Sequence, residues 1–150
     1  MLKKKNHAYF FPNFPQDKVS ALFSDRFYNL GFYNTSLKDL NANRFNFLKN
    51  LGINYKNLVC AKQPHSNKIV LVGLKYKGKG ASNFKDAVAG ADGFLTKEKN
   101  LPLAVFTADC LSIFLFDPKN NAIGLVHAGW RGTYKRIAEK AVLKMKKFFK

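Results

Sequence analysis

The chain has few cysteines and no long apolar run, and each shortage excludes a class of protein. Its two cysteines are too few for the disulfide framework of a small secreted domain. Asn6, Pro12 and Pro15 interrupt the apolar segment that a signal peptide would need, and no run approaches the length that crosses a bilayer. We therefore expect a cytoplasmic protein with free thiols and no membrane partner.

Acidic residues are also scarce, which leaves the charge one-sided. Nine Asp and Glu stand against 26 Lys and Arg, for a formal net charge of +17. Such a charge suits nucleic acids, anionic lipids or phosphorylated metabolites, although scattered lysines are also typical of a solvated surface. No zinc-finger spacing, aromatic RNA-recognition pattern or basic heptad is present in the sequence. We expect no specific nucleic-acid partner, and the oligomeric state stays open.

What the chain does have is apolar material for one core, since 47% of its 150 residues are hydrophobic. This predicts a single domain. The pattern predicts a helix over residues 41–51 that Gly52 ends, and an amphipathic helix over residues 133–150. A glycine-rich loop with a short helical piece at residues 84–88 is expected over residues 78–93. Short apolar runs predict strands at residues 19–24, 58–61, 68–72, 103–107, 112–116 and 122–126, the last two joined as an antiparallel hairpin.

Three residues with metal-binding side chains lie beside predicted strands. His65 lies in a turn between strands, Cys110 begins a strand and His127 ends one. Because strand ends meet at the edge of a sheet, these side chains are candidates for one cluster. One thiolate and two imidazoles leave a fourth position open, as in catalytic zinc sites, and copper is the chemical alternative. A buried cysteine beside two hydrogen-bonded histidines explains the same residues without a metal.

A second hypothesis also needs no metal. Cys110 is then a nucleophile with His127 as its base and Asp109 or Gln63 as the orienting group. Arg131 and the start of the helix after His127 form a candidate site for a phosphate or carboxylate. Arg26 and Arg44 are further candidate anion contacts, with surface salt bridges as the alternative. We expect Trp130 to pack rather than to bind a ligand.

Four motifs occur in order along the chain and together resemble a known family. They are Gln63-x-His65, Asp92-Gly93-Phe94-Leu95-Thr96, Thr107-Ala108-Asp109-Cys110 and His127-Ala128-Gly129-Trp130-Arg131-Gly132. The succession is similar to the multicopper polyphenol oxidase or laccase-domain family, also described as purine nucleoside phosphorylases. The resemblance covers most of residues 19–150. It implies an α+β fold of layered, mixed and largely antiparallel sheets, with a metal site at His65, Cys110 and His127.

The resemblance implies an enzyme of purine nucleoside metabolism. Its expected reactions are phosphorolysis of adenosine, inosine or methylthioadenosine and deamination of adenosine, with nucleosides and phosphate as partners. Zinc is the expected cofactor, with copper as the alternative. Three histidines are too few for a multicopper centre, and only Met1 and Met145 offer the thioether of a blue-copper site. The expected catalytic residues are Cys110, His127 and Asp109, and the expected substrate or phosphate contacts are Arg131, Arg26, Arg44 and Gln63.

The resemblance also implies a longer domain, because family members continue beyond the last helix with a Gly-Pro and Cys-Tyr segment. We therefore expect residues 1–150 to form a domain that is incomplete at its C-terminal end. Such a chain should be aggregation-prone or marginally stable, since an open sheet edge and an uncovered apolar face are both liabilities. The alternative functions are a Cys–His hydrolase and a non-catalytic fragment or binding module.

Overall fold

The computed structural model describes residues 2–150 and divides the chain into two compact units. The first unit ends at Tyr55 and the second spans Lys56–Lys150. The single incomplete domain expected from the sequence stays a prediction.

The first unit contains a three-stranded antiparallel meander and one helix. Its strands are β1 (Lys3–Lys5), β2 (Ala8–Phe10) and β3 (Leu22–Ser24), in that order across the sheet. Asn6 and His7 both have positive φ, 48° and 64°, and form the two-residue turn between β1 and β2. No strand is predicted at β1 and β2, because three exposed lysines in β1 show no apolar alternation.

Helix α1 (Leu37–Lys49) confirms the helix expected near residues 41–51 but begins four residues earlier. It starts there because the Ser36 side chain accepts a hydrogen bond from the backbone N–H of Asp39. Gly52 follows its end with φ +68°, the left-handed conformation expected of a terminating glycine. The face that α1 buries carries Leu40, Phe47 and Leu48 together with Arg44.

The second unit contains the sheet that carries the candidate site. In the four-stranded sheet, strands β5 (Ile69–Leu71) and β6 (Gly93–Thr96) are parallel. Strands β8 (Leu111–Asp117) and β9 (Ala122–Ala128) form the expected antiparallel hairpin, and β9 also pairs antiparallel with β6. A separate parallel pair joins β4 (Val59–Cys60) to β7 (Leu103–Ala104). The predicted α+β class with mixed, largely antiparallel sheets is confirmed.

The prediction of one helix over residues 133–150 is wrong, because the chain forms two helices there. They are α2 (Trp130–Tyr134) and α3 (Ile137–Phe148), and Arg136 breaks the run between them with a left-handed φ of 60°. The sequence predicts an apolar stripe here of Ile137, Ala141 and Met145 with Phe148 or Phe149. The first three are buried in one cluster with Leu95 and Val126 of the sheet. Phe149 rather than Phe148 completes that stripe. None of the helices in residues 2–150 is long and apolar enough to cross a membrane.

The second unit differs from the expectations at three further places. Residues 84–88 form turns rather than a helical piece, because the Asn83 side chain closes a turn onto Asp86 and Val88 bridges to Ala61. Residues 93–96, which no prediction called a strand, form β6. Gly93 belongs there because a Cβ at this position would lie 3.0 Å from Cγ2 of Val126. The strand expected over residues 103–107 is limited to β7.

The topology of the four-stranded sheet brings several chain segments to one edge. Strands β5, β6 and β8 begin at this edge, and β9 ends there, because β9 runs antiparallel to both of its neighbours. The residues just before β5, β6 and β8 and at the end of β9 are therefore neighbours in space. They include the three candidates for one metal cluster, His65, Cys110 and His127.

Candidate metal centre

His65, Cys110 and His127 come together at this edge, as the sequence predicts. Each residue offers one ligand atom, and the three atoms lie within 4.8 Å of one another. The two imidazole rings are 4.8 Å apart between centroids and almost perpendicular, at 86°. His127 is 2% exposed, Cys110 is half-buried and His65 is exposed. The cluster is therefore open to solvent on the side of His65 and closed behind His127.

Gly129 keeps space open between the three side chains. A Cβ at this position would lie 3.0 Å from Cδ2 of His65, 3.2 Å from Sγ of Cys110 and 3.6 Å from Cε1 of His127. Its φ of −71° is ordinary, so any residue could adopt the backbone conformation. The glycine is required by space, and the space that it preserves lies against all three candidate ligands. A donor set of one sulfur and two nitrogens suits Zn²⁺ or Cu²⁺, so these residues fit a metal ion.

The buried carboxylate of Asp92 holds the cluster together from behind. Its Oδ1 accepts hydrogen bonds from Nδ1 of His127 at 2.9 Å and from the backbone N–H of His65 at 3.0 Å. Its Oδ2 accepts from the backbone N–H and the hydroxyl of Ser66, both at 2.7 Å. Asp92 lies directly before β6 and is fully buried. One side chain thus contacts the segments of both histidines.

Two opposing effects act on the pKa of Asp92. Burial raises it, while the hydrogen bonds from His127 and Ser66 lower it. The hydrogen bonds outweigh burial, so the pKa lies below its ordinary value. Asp92 is therefore ionised at neutral pH and acts only as an acceptor.

Gln63 is held by the backbone of the segment that leads to Cys110. Its amide nitrogen donates to the carbonyl of Phe106 at 2.7 Å, and its amide oxygen accepts from the N–H of Phe106 at 2.8 Å. The predicted binding role of Gln63 stays a prediction. Asp109 is exposed beside Cys110. The sequence predicts that Asp109 or Gln63 orients His127. In the structure the residue hydrogen-bonded to Nδ1 of His127 is Asp92.

Arg131 and Trp130 follow Gly129 in the short helix α2, and both are exposed. The expectation that Trp130 packs is wrong, because 73% of it is exposed. The Arg131 guanidinium lies 5.0 Å from the centroid of the Trp130 ring, a distance that allows a cation–π contact. With only five residues in α2, an anion site near it depends on the guanidinium rather than on a helix dipole.

Arg26 and Arg44 belong to the first unit. Arg26 is exposed and lines a groove there with Lys5, His7 and Phe27. Arg44 is only 1% exposed, so the surface salt bridge considered for it is excluded. Its Nε donates to the carbonyl of Leu30 at 2.9 Å. The roles of both arginines toward a substrate stay predictions.

Sequence reasoning missed three residues of this centre: Asp92, Ser66 and Gly129. Asp92 and Gly129 lie within motifs that were noted, yet neither was given a part in the chemistry. One signal for Asp92 was available in the sequence. It is an acidic residue that comes directly before a short apolar run containing a glycine. Met145, one of the two thioether candidates, lies in the core cluster under α3, and Met1 lies outside the described residues.

Known proteins similar to this chain agree with the resemblance seen in its sequence. A family model described as multi-copper polyphenol oxidoreductase laccase matches residues 19–150. A protein of Clostridium acetobutylicum named purine nucleoside phosphorylase is 36% identical over 148 residues, which are 97% of this chain and 56% of that protein. A protein of an unknown prokaryotic organism named adenosine deaminase RL5 is 32% identical over 110 residues, 73% of this chain and 40% of its own length.

The fold has a solved counterpart. The crystal structure of the hypothetical protein YfiH of Bacillus licheniformis has a TM-score of 0.88 at 25% sequence identity. The match covers 96% of this chain and 58% of that one. This chain thus spans a little over half of the solved structure, and 56% of the Clostridium relative.

Proposed function

Because this chain belongs to the multi-copper polyphenol oxidoreductase laccase family, we propose that it acts on purine nucleosides at the His65–Cys110–His127 centre. The observation that carries the proposal is the convergence of these three ligand atoms within 4.8 Å around the space beside Gly129. The names of the relatives support the purine chemistry. The proposed reactions are phosphorolysis of adenosine, inosine or methylthioadenosine and deamination of adenosine.

His65, Cys110 and His127 would hold the ion, for which zinc is the first candidate and copper the second. When bound there, the ion supplies Lewis acidity toward an oxygen of water or phosphate. Cys110 must be a thiolate to serve as a ligand, so we place the protein in a reducing compartment, the cytoplasm. In the described part of the chain, Cys60 and Cys110 form no disulfide, in agreement with that setting.

Arg131 is the proposed anchor for phosphate, because its guanidinium is exposed two residues after Gly129 and offers a fork of donors. In phosphorolysis a phosphate oxygen attacks C1′ of the ribose and the bond from C1′ to the purine nitrogen breaks. Asp109 passes a proton from the phosphate to the departing purine. In deamination water adds at C6 of the purine, ammonia leaves, and Asp109 carries the proton from the water to the leaving amine.

Metal analysis tests the centre itself. The purified full-length protein should carry close to one zinc or copper ion per chain, and Cys110→Ala should lose most of it. Cys60→Ala is the matched control, because Cys60 is buried in β4 and is not one of the clustered ligands. Equal metal content in the wild type and in Cys110→Ala would remove the metal centre.

Nucleoside assays with and without phosphate test the reaction. Loss of a charged hydrogen bond costs about 1.5–3 kcal/mol, so Arg131→Ala should slow phosphorolysis about ten- to a hundred-fold at low phosphate. Deamination should change less, because it uses water in place of phosphate. Lys140→Ala, on the exposed face of α3, is the control for general loss of charge. If the metal-loaded protein turns over no nucleoside under either condition, the purine assignment is wrong and the Cys–His hydrolase takes its place.

A further inference from the structure

Every acceptor site of the Asp92 carboxylate is used. An ionised carboxylate has about four lone-pair directions, and Asp92 receives four hydrogen bonds, two on each oxygen. The Ser66 hydroxyl that donates to Asp92 also accepts the backbone N–H of Lys68 at 3.1 Å, so its proton direction is fixed. If one of these partners moved, the buried charge would lose a hydrogen bond, which is energetically costly, so the partners are held in place.

The first consequence concerns the proton of His127. Because the ionised carboxylate can only accept, Nδ1 of His127 must carry the hydrogen of the 2.9 Å bond. In the neutral ring the lone pair is then on Nε2, the only remaining nitrogen that can bind a metal ion. The Asp92 carboxylate therefore decides which nitrogen of His127 is free.

The second consequence concerns the loop that carries His65. The backbone of His65 has a left-handed φ of 60°, a strained conformation for this residue type, and its N–H is bound to Asp92. The backbone also ties the two segments together on either side, through Gln63 N–H to the Ala91 carbonyl and Asp92 N–H to the Lys68 carbonyl. Without the carboxylate, the hydrogen bonds that hold residues 65 and 66 against β6 are lost.

We propose that Asp92 is the positioning residue of the metal centre, which selects the metal-binding tautomer of His127 and holds the His65 loop in its ligating conformation. The inference rests on the metal centre proposed above. One carboxylate thereby places two of the three ligands, although they come from a loop and from a strand 62 residues apart in the chain.

Asparagine cannot replace Asp92, although it has almost the same shape. If its amide oxygen faces Ser66, its NH₂ group faces Nδ1 of His127, which must then accept and shift its proton to Nε2. If the oxygen faces His127 instead, the NH₂ group opposes the N–H of Ser66. The first orientation blocks the metal-binding nitrogen, and the second breaks the loop that carries His65.

Two measurements on the full chain test this role: Co²⁺ titration followed by the absorption of the Co²⁺–thiolate site, and histidine ¹⁵N spectra of the metal-free protein. The wild type should bind Co²⁺ and show the Nδ1–H tautomer at His127. Asp92→Asn should bind Co²⁺ about ten- to a hundred-fold more weakly. Asp117→Asn is the matched control, because Asp117 is likewise a carboxylate that accepts several hydrogen bonds, three in its case, but lies at the end of β8 away from the candidate ligands.

Equal Co²⁺ affinity in the wild type and in a folded Asp92→Asn would overturn the role. A wild-type His127 protonated at Nε2 would also overturn it, and this result is decisive even if the variant fails to fold. A wild type that binds no Co²⁺ would remove the metal centre and the positioning role with it. In that case the His127 tautomer of the metal-free wild type still tells the two failures apart. An Nδ1–H tautomer would mean that Asp92 orients His127 although no metal binds, and an Nε2–H tautomer would mean that the role of Asp92 is wrong as well.

Discussion

The first unit pairs His7 with Asp25 and the second pairs His127 with Asp92, with distances from Nδ1 to the carboxylate of 3.1 and 2.9 Å. The first pair is open to solvent, with the side chains 41% and 14% exposed, whereas the second is 2% and 0% exposed. Solvent screens the first pair and can replace its hydrogen bonds. The second pair is almost fully shielded from solvent, so each of its hydrogen bonds constrains the structure.

The hydrogen-bond partners of the two carboxylates also differ between the exposed pair and the buried pair. A backbone N–H from Phe27 is the main cause that lowers the pKa of Asp25 to about 2; partial burial opposes it, and Lys4 and His7 add to the lowering. The first carboxylate thus stabilises a surface turn together with a lysine. The second carboxylate, Asp92, accepts its four hydrogen bonds from His127 and from the loop before β5, and none of them comes from a lysine. The comparison indicates that burial makes the second aspartate–histidine contact the stronger constraint on the orientation of the imidazole ring.

The largest expected effect comes from the core that supports the second pair. Ile137→Ala should destabilise the second unit by about 2–5 kcal/mol, because Ile137 is fully buried beneath β9 and the variant leaves a cavity. Urea unfolding followed by circular dichroism measures the change. Leu143→Ala, on the exposed face of the same helix, should stay within about 0.5 kcal/mol. Equal effects of the two variants would show that α3 does not support the sheet in this way.

A smaller effect is expected when the space in front of the second pair is filled. Gly129→Ala places a methyl group against His65 and Cys110, so metal affinity should fall about tenfold or more while the chain stays folded. Competition with a chelator measures the affinity. Gly73→Ala is the control, because the nearest atom to its added Cβ is 3.7 Å away, an ordinary contact. Unchanged affinity in Gly129→Ala would mean that no ion uses this space.

The smallest effect concerns the exposed pair. The lowered pKa of Asp25 means that its carboxylate stabilises the fold above its ordinary pKa of 3.8, and that this contribution is lost as the pH falls toward about 2. Stability of the first unit should therefore decrease over that range in the wild type and less so in Asp25→Asn. Denaturation followed by the NMR signals of β2 measures it. Asp17→Asn, an exposed site in the same unit, controls for charge, and a decrease in Asp25→Asn as steep as in the wild type would contradict the prediction.

Elements with strong local signals were predictable. The β8–β9 hairpin has two apolar runs and a turn that begins with Asp-Pro, and Asp117 closes this turn by accepting from Lys119 and Asn120. The stripe of α3 has clear helical spacing. The strands β1 and β2 were not predictable, because Lys3–Lys5 has no alternation and the turn after it relies on left-handed Asn6 and His7. The break at Arg136 likewise depends on a left-handed residue other than glycine.

The candidate ligands were predictable as residue types, but their support was not. Cysteine and histidine are rare in this chain, so His65, Cys110 and His127 stand out beside predicted strands. Their convergence also requires the strand order β5-β6-β9-β8, which no local pattern reveals. Trp130 shows the reverse error, because it was expected to pack against other residues and lies exposed after Gly129.

The sequence by itself determined the candidate ligand types, the hairpin, the apolar stripe of α3 and the resemblance to the laccase family, because these depend on residue identity and local spacing. Only the tertiary structure decided that Asp92 rather than Asp109 contacts His127, that Gly129 keeps the space between the candidate ligands open, and that Arg44 is buried. Each of these depends on which segments meet across the sheet or in the core. Long-range packing sets the distances between these segments. It also sets the burial that makes the hydrogen bonds of Asp92 a constraint on His127.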